Sequence, residues 1–234
     1  MLKIDDVAYE YHNECFHFDA TISSGDIVAL MGPSGAGKST LLALMAGFIE
    51  PQKGRILVEG KDVVGKVPSR RPFAMLFQEH NLFAHLSVRQ NIGLGLEPSL
   101  KLSAGQQQQI DKAAKQVGIA QYLDRLPEQL SGGQRQRVAL ARCFVQPHKI
   151  WLLDEPFSAL DPVLRAEMLD LVKVLATENN ITVLMVTHHL SDAKAIASHF
   201  MFMANGIIAD NGVIRALQSN HHSAMLREFV SAAE

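Results

Sequence analysis

Nine consecutive residues, Gly32-Pro33-Ser34-Gly35-Ala36-Gly37-Lys38-Ser39-Thr40, follow an apolar run and precede a helix-forming one. They fit GxxxxGK[ST], the P-loop pattern, in the context that pattern requires. Glycine lets the backbone curl until several N–H groups face one anion, and the following helix adds its positive end. In such a loop Lys38 reaches the β- and γ-phosphates of a nucleotide, and Ser39 ligates Mg²⁺. A second apolar run, Ile150-Trp151-Leu152-Leu153, ends in Asp154-Glu155. Asp154 suits the outer coordination of Mg²⁺ through water, and Glu155 is placed to polarise a water for in-line attack on phosphorus. A third group, Leu130-Ser131-Gly132-Gly133-Gln134, lies about ninety residues beyond the P-loop. A serine and two glycines at a helix N-terminus make another anion site. If Lys38 holds the nucleotide, that site has no phosphate of its own in the same chain. Two copies arranged head to tail would satisfy both.

Each group needs an element to hold it. Residues 27–31, 150–153 and, Thr182 apart, 181–186 are apolar runs, suited to parallel strands covered on both faces by helices. Each ends beside a polar residue of interest, where open α/β sheets bind ligands. Residues 39–46 read as the helix leaving the P-loop, with Gly47 placed to end it. Phe16, Phe18, Ala20 and Ile22 alternate with polar neighbours, as in a strand with one buried face. Residues 55–58 and the Glu59-Gly60 turn continue this antiparallel character. From about residue 82 to 146 the pattern turns helical, through 104–118 and through 133–145, the latter capped by Ser131. Near the end, residues 200–203, Asn205-Gly206 and 207–209 predict a hairpin, and 223–232 a short helix.

Composition narrows the classes. Of 234 residues 47% are hydrophobic, enough for a sizeable core. Lys+Arg 22 against Asp+Glu 24 leaves a net charge of −2, so no strong field is available to hold nucleic acid or an acidic bilayer. Cys15 and Cys143 stand far apart with no CxxC, and are expected to be reduced, inert thiols of a cytosolic protein. The chain turns acidic at Asp5-Asp6, so no secretory leader is expected. No apolar stretch approaches the ~20 residues of a membrane-spanning helix. Service to a membrane is therefore expected from its cytoplasmic side and through a partner.

The P-loop, the Asp154-Glu155 strand end and LSGGQ, in this order, resemble the ATP-binding cassette (ABC) family, whose ATPases drive transport across membranes. The resemblance runs nearly end to end. It implies an α/β fold: a P-loop NTPase cassette with a mixed central sheet, an antiparallel β-subdomain and an inserted helical subdomain. The core would comprise 1–82 and 146–234, the helical insert 83–145. It implies ATP with Mg²⁺ and a homodimer that buries two ATP molecules. Ser131, Gly132, Gly133 and Gln134 would then bind the γ-phosphate held by the other subunit. By the same resemblance Gln78 matches the Q-loop glutamine, which contacts Mg²⁺ and water and senses the membrane partner. His188, after Thr187, matches the switch histidine that grips the γ-phosphate. Ser158-Ala159-Leu160-Asp161 matches the D-loop at the dimer interface, and His189 reads as a surface neighbour. Tyr11 resembles the aromatic that stacks on adenine, a role for which Tyr9 competes.

Within the family, Pro68-Ser69-Arg70-Arg71-Pro72, Met75-Leu76-Phe77-Gln78-Glu79, Asn81-Leu82-Phe83, His85-Leu86, Asn91-Ile92-Gly93-Leu94-Gly95-Leu96 and Leu100-Lys101-Leu102 are similar to the ATP-binding subunits of bacterial thiamine importers. None of these residues touches thiamine, which would pass through a membrane subunit. An importer of another small solute is the next reading. The resemblance implies a polytopic permease whose coupling helices dock where Leu82, Phe83 and Leu86 supply an apolar floor. It also implies an extracytoplasmic solute-binding protein as an indirect partner, at the cytoplasmic face of the bacterial inner membrane. A P-loop kinase has no need of LSGGQ or of the 158–161 segment. Cassette ATPases acting on DNA or ribosomes usually carry a second cassette, a coiled-coil insertion or zinc-binding cysteines. None of these is present, and no nucleic-acid partner is expected.

Overall fold

The structure, a computed structural model, describes residues 1–77 and 81–233. The first half of the chain runs β1 (Leu2–Tyr11), β2 (Glu14–Ile22), β3 (Ile27–Met31), α1 (Lys38–Ala46), β4 (Lys53–Val58), β5 (Lys61–Asp62), β6 (Phe73–Leu76), α2 (Val88–Gly93) and α3 (Ala104–Gln116). It continues α4 (Gly132–Phe144), β7 (Ile150–Asp154), α5 (Pro162–Asn179), β8 (Thr182–Val186), α6 (Leu190–Ile196), β9 (His199–Ala204), β10 (Ile207–Val213) and α7 (Ala224–Ala233). All these strands share one sheet, in the order β5-β4-β1-β2-β10-β9-β3-β8-β7-β6. From β6 to β9 the pairing is parallel. β10 then folds back on β9 and meets β2 at a single pair, Ile207 with His17. The remaining strands, β2, β1, β4 and β5, are antiparallel.

The two halves follow from two side-chain patterns. In β3 every residue is buried, and the faces alternate. Ile27, Ala29 and Met31 join the apolar cluster built with α2 to α7, while Val28 and Leu30 join the one built with α1 and the antiparallel strands. β7 divides the same way, Trp151 and Leu153 to one side and Ile150 and Leu152 to the other. Strands covered on both faces need no polar positions, hence the unbroken runs. In β2, by contrast, Phe16, Phe18, Ala20 and Ile22 are buried and the residues between them exposed, the mark of a strand covered on one face. β1 obeys the same rule but interrupts it. Its register shifts between Ile4 and Val7, where Asp6 adopts a φ of 51°, so Leu2, Ile4 and Val7 are all buried despite their uneven spacing. The Glu59-Gly60 and Asn205-Gly206 turns have positive φ at both residues, as two-residue hairpin loops require.

The phosphate loop is anchored from behind by a single helix. α1 leaves the P-loop and runs between the parallel strands and the antiparallel ones, with Leu41, Leu42, Leu44 and Met45 buried. Gly47 ends it in the left-handed region, donating its N–H to the Ala43 carbonyl. Beyond that turn sits Arg71, 1% exposed. Its Nη1 donates to the carbonyls of Leu44 (2.6 Å) and Met45 (3.2 Å), its Nε to that of Lys66 (2.8 Å), and its Nη2 to Glu50 Oε1 (2.6 Å). A cation at the C-terminal carbonyls of a helix satisfies their unmet acceptors and opposes the negative end of the dipole. A Cβ at Gly47 would run into that guanidinium. Replacing Arg71→Met should therefore cost about 2–4 kcal/mol in urea unfolding, because three carbonyls lose a buried donor. Gly47→Ala should weaken the same contact, and the double variant should lose less than the sum.

Candidate functional site

The carboxyl ends of β3, β8 and β7 are neighbours, and hydrogen bonds carry their pairing one residue past the apolar stretch. Thr187 N–H donates to Leu30 O and Glu155 N–H to Val186 O, each at 3.2 Å. The P-loop, Thr187-His188 and Asp154-Glu155 thus emerge side by side. Between them opens a cleft of about 460 Å³, lined by Gly32, Ser34, Gly35, Gly37, Lys38, Ser39 and Thr40, with Glu155, His188, Tyr11, Glu14 and Phe16. Pro33 and Ala36 face an adjoining hollow shared with Ser34 and Gly35. Two of the loop glycines are required by space as well as by φ. A Cβ at Gly32 would strike the Met203 carbonyl, and one at Gly37 would lie 2.7 Å from the Phe16 ring.

The charged groups are tied together. Lys38 Nζ donates to Gly32 O (2.8 Å) and Pro33 O (2.7 Å) at the mouth of the loop. Burial lowers its pKa, and the nearby Glu155 and Asp154 carboxylates oppose that shift. Burial raises the pKa of Asp154; a Ser39 hydrogen bond and Lys38 pull it down, while Glu155 pushes it further up. A hydroxyl and a half-buried carboxyl side by side are hard oxygen donors of the kind Mg²⁺ takes, and a cation there would offset the cost of burying the carboxylate. Glu155 itself has a φ of 43°, uncommon for a residue with a Cβ, and strain of this sort gathers where side-chain aim matters. Its Oε2 stands 3.3 Å from His188 Nδ1.

His189, expected at the surface, is instead partly buried at the start of α6, its ring 4.0 Å from that of His188. Burial and then the charge of His188 lower its pKa. Position also separates the two tyrosines. Tyr9 packs into the second apolar cluster, 6.4 Å from Phe16, whereas Tyr11 is 57% exposed and lines the cleft. Gln78 lies outside the described residues.

Residues 130–134 do not line that cleft. Ser131 caps α4 with a reciprocal box, its Oγ accepting from Gln134 N–H (3.3 Å) while its own N–H donates to Gln134 Oε1 (2.9 Å). Gln134 is thus occupied in holding Ser131. The first helical bond, Arg135 N–H to Ser131 O, leaves the N–H groups of Gly132 and Gly133 at the open end. The two glycines differ: a Cβ at Gly132 meets nothing within 4 Å, while one at Gly133 would strike Leu164 of α5. Gly132 leaves room for a ligand, and Gly133 allows two helices to touch. Asp161 caps α5, its Oδ1 accepting from Val163 N–H (3.1 Å) and Leu164 N–H (3.0 Å). Between the two caps runs a link that no motif in the sequence marks. Gln136, 1% exposed on α4, donates from Nε2 to the Pro156 carbonyl, directly after Glu155.

Before α2 the chain presents Phe83, 49% exposed, with Leu82 and Leu86 partly covered. Asn91, fully buried, fixes that segment by accepting from Phe83 N–H and donating to the carbonyls of Phe83, Leu86 and Ser87. Both cysteines are free: Cys15 is exposed, and the buried Cys143 thiol is pushed up to about 12. Among the described residues no helix is long and apolar enough to cross a membrane.

Known proteins share this arrangement. The family model described as ABC transporter matches residues 16–158. The chain is 69% identical over 233 residues to the thiamine import ATP-binding protein ThiQ of Vibrio parahaemolyticus, covering all of both chains. It is 53% identical over 224 residues to the protein of that name from Escherichia coli O157:H7, covering 96% of this chain and 97% of the other. Among solved structures, it is similar to a dimeric post-hydrolysis state of the ATP-binding cassette MJ0796 bound to ADP and Pi. The TM-score there is 0.79 at 27% identity, over 92% of this chain and 99% of the other. The fold also matches the ADP conformation of MJ1267, an ATP-binding cassette of an ABC transporter, at a TM-score of 0.88 and 23% identity over 100% and 99% of the two chains. The contrast between the two signature glycines yields a test. Gly133→Ala should overpack the contact with Leu164 by about 1–3 kcal/mol and lower the calorimetric midpoint by roughly 3–10 °C. Gly132→Ala, opening into free space, should leave the midpoint nearly unchanged.

Proposed function

The chain belongs to the ABC transporter family, and on that footing we propose that it is the ATP-hydrolysing subunit of an importer bringing thiamine, or its phosphates, across the bacterial inner membrane. Full-length relatives at 52–69% identity carry the thiamine import name and support the solute. One observation carries the mechanism: the cleft holding Lys38, Glu155 and His188 excludes Ser131, so a single chain has two phosphate-binding features that do not meet.

ATP lies with its phosphates in the P-loop and its adenine against Tyr11, a stacking worth about 1–3 kcal/mol. Backbone N–H groups of residues 34–40 surround the β-phosphate, and Lys38 exchanges its carbonyl partners for β- and γ-oxygens. Ser39 and Asp154 would hold Mg²⁺, with Gln78 assigned to the same ion by motif position, and the ion would supply neutralising charge for the phosphate oxygens. Glu155 accepts a hydrogen bond from the attacking water and aims it along the line of the breaking bond. His188, within reach of that carboxylate, bridges it to the γ-phosphate.

A second copy, turned head to tail, supplies what the cleft lacks. Its Ser131 hydroxyl and the N–H groups of Gly132 and Gly133 cover the γ-phosphate, and its 158–161 segment runs along the seam. Closing the pair swings the helical insert, 83–145, against the core formed by 1–82 and 146–234. The permease follows through coupling helices seated near Phe83, from the cytoplasmic face. Loss of the γ-phosphate removes the shared anion, and the pair reopens. An extracytoplasmic binding protein delivers the solute on the far side.

Two measurements test this reading. Glu155→Gln should lower ATP turnover by about a hundredfold or more and run as an ATP-dependent dimer in size-exclusion chromatography. Turnover at the parental rate would remove Glu155 from its role. In the reconstituted transporter, thiamine-loaded binding protein should raise ATPase activity where other small cations do not. Equal rates with and without thiamine would leave the solute unassigned and overturn that part of the proposal.

A further inference from the structure

Asp210, His221 and His222 form a cluster that none of the roles above uses, and none of the three lines the nucleotide cleft. Asp210 sits where the pairing of β10 with β9 slips, between Ile208 and Asp210, and its side chain is only 12% exposed. One of its oxygens, Oδ2, faces His221 Nδ1 at 3.5 Å and His222 Nε2 at 3.7 Å. One donor atom from each side chain lies within 4.8 Å of the other two. Around a tetrahedral ion with bonds of about 2.0–2.1 Å, ligand atoms stand roughly 3.3–3.4 Å apart, so small rotations bring all three onto one cation. The direct His17–Asp6 pair, by comparison, closes to 2.6 Å.

The scaffold beneath the cluster is held in place. Arg227 of α7 donates from Nη1 to the carbonyls of both His221 (2.8 Å) and His222 (3.0 Å), fixing the backbone that carries the two rings. Phe200 packs edge-on against His221, which is 9% exposed. Ser223 N–H donates to His221 Nδ1 at 3.3 Å, which marks that nitrogen as the unprotonated one; a metal ion would take its single lone pair in place of this long hydrogen bond. A cation between the imidazole and the carboxylate would serve both. Two imidazoles and a carboxylate favour zinc and its neighbours over Mg²⁺ or Ca²⁺, which prefer all-oxygen shells.

We propose that Asp210, His221 and His222 bind one divalent transition-metal ion of the zinc class, with water completing its shell on the exposed His222 side. The ion ties β10 to the segment that precedes α7, whose backbone Arg227 already holds.

Tag-free, chelator-stripped protein, kept in excess Mg²⁺ and ADP to occupy the nucleotide cleft, provides the test. Titration with ZnCl₂ by calorimetry, and with CoCl₂ by visible absorption, should give one saturable site per chain and a raised thermal midpoint. His222→Ala, at a side chain 83% exposed, should fold normally and bind at least about tenfold more weakly. Asp210→Asn should behave alike. No saturable binding, or binding of undiminished strength in both variants, would overturn the proposal.

Discussion

The central constraint is that β3, β7 and β8 are buried on both faces. An unpaired polar group inside such strands costs about 2–7 kcal/mol, so every polar residue the chemistry needs is driven to the strand ends. Those ends are held in register by the ladder itself. Leu30 pairs with Val186, and Val186 with Asp154. The hydrogen bonds of Thr187 and Glu155 then extend the ladder into the loops. Gly32, His188 and Glu155 therefore need no long-range device to find one another. Three apolar runs place them.

How far the sequence reveals this depends on whether the signal is local. Runs covered on both faces, the alternation in β2 and the two-residue turns are local, and they are legible. β1 is not, because its bulge at Asp6 breaks the period by which a strand is recognised. The helix α5 has no strong apolar period either, although Asp161 before Pro162 is a start signal: a capping carboxylate followed by a residue that tolerates only the first turn. In the site, motif spacing names the P-loop and Glu155 and singles out Ser131, while His188 is reached only by resemblance to the family. That Ser131 lacks a phosphate of its own in the same chain is already inferred from the two anion sites, and the lining of the cleft, which leaves Ser131 out, agrees. Only three-dimensional placement shows the partial burial of His189, which comes from its position at the start of α6, and the separation of Tyr11 from Tyr9.

α1 shows how the two ends of one helix share a task. Its N-terminus opens at Gly37 under the phosphate loop, and its last carbonyls are gripped by a fully covered guanidinium. The positive end is left to attract an anion, while the negative end is already answered. Arg71 therefore holds the far end of the helix that leaves the P-loop, without standing near the cleft.

The bridge from Gln136 to Pro156 has a consequence for coupling. In the proposed dimer α4 begins in a cap that faces a neighbour's nucleotide, and the same helix donates to the peptide next to Glu155. Should the cap be pulled, the Pro156 carbonyl must follow or lose a donor shielded from water. In that dimer Gln136 would couple movement at one phosphate to the carboxylate at the other.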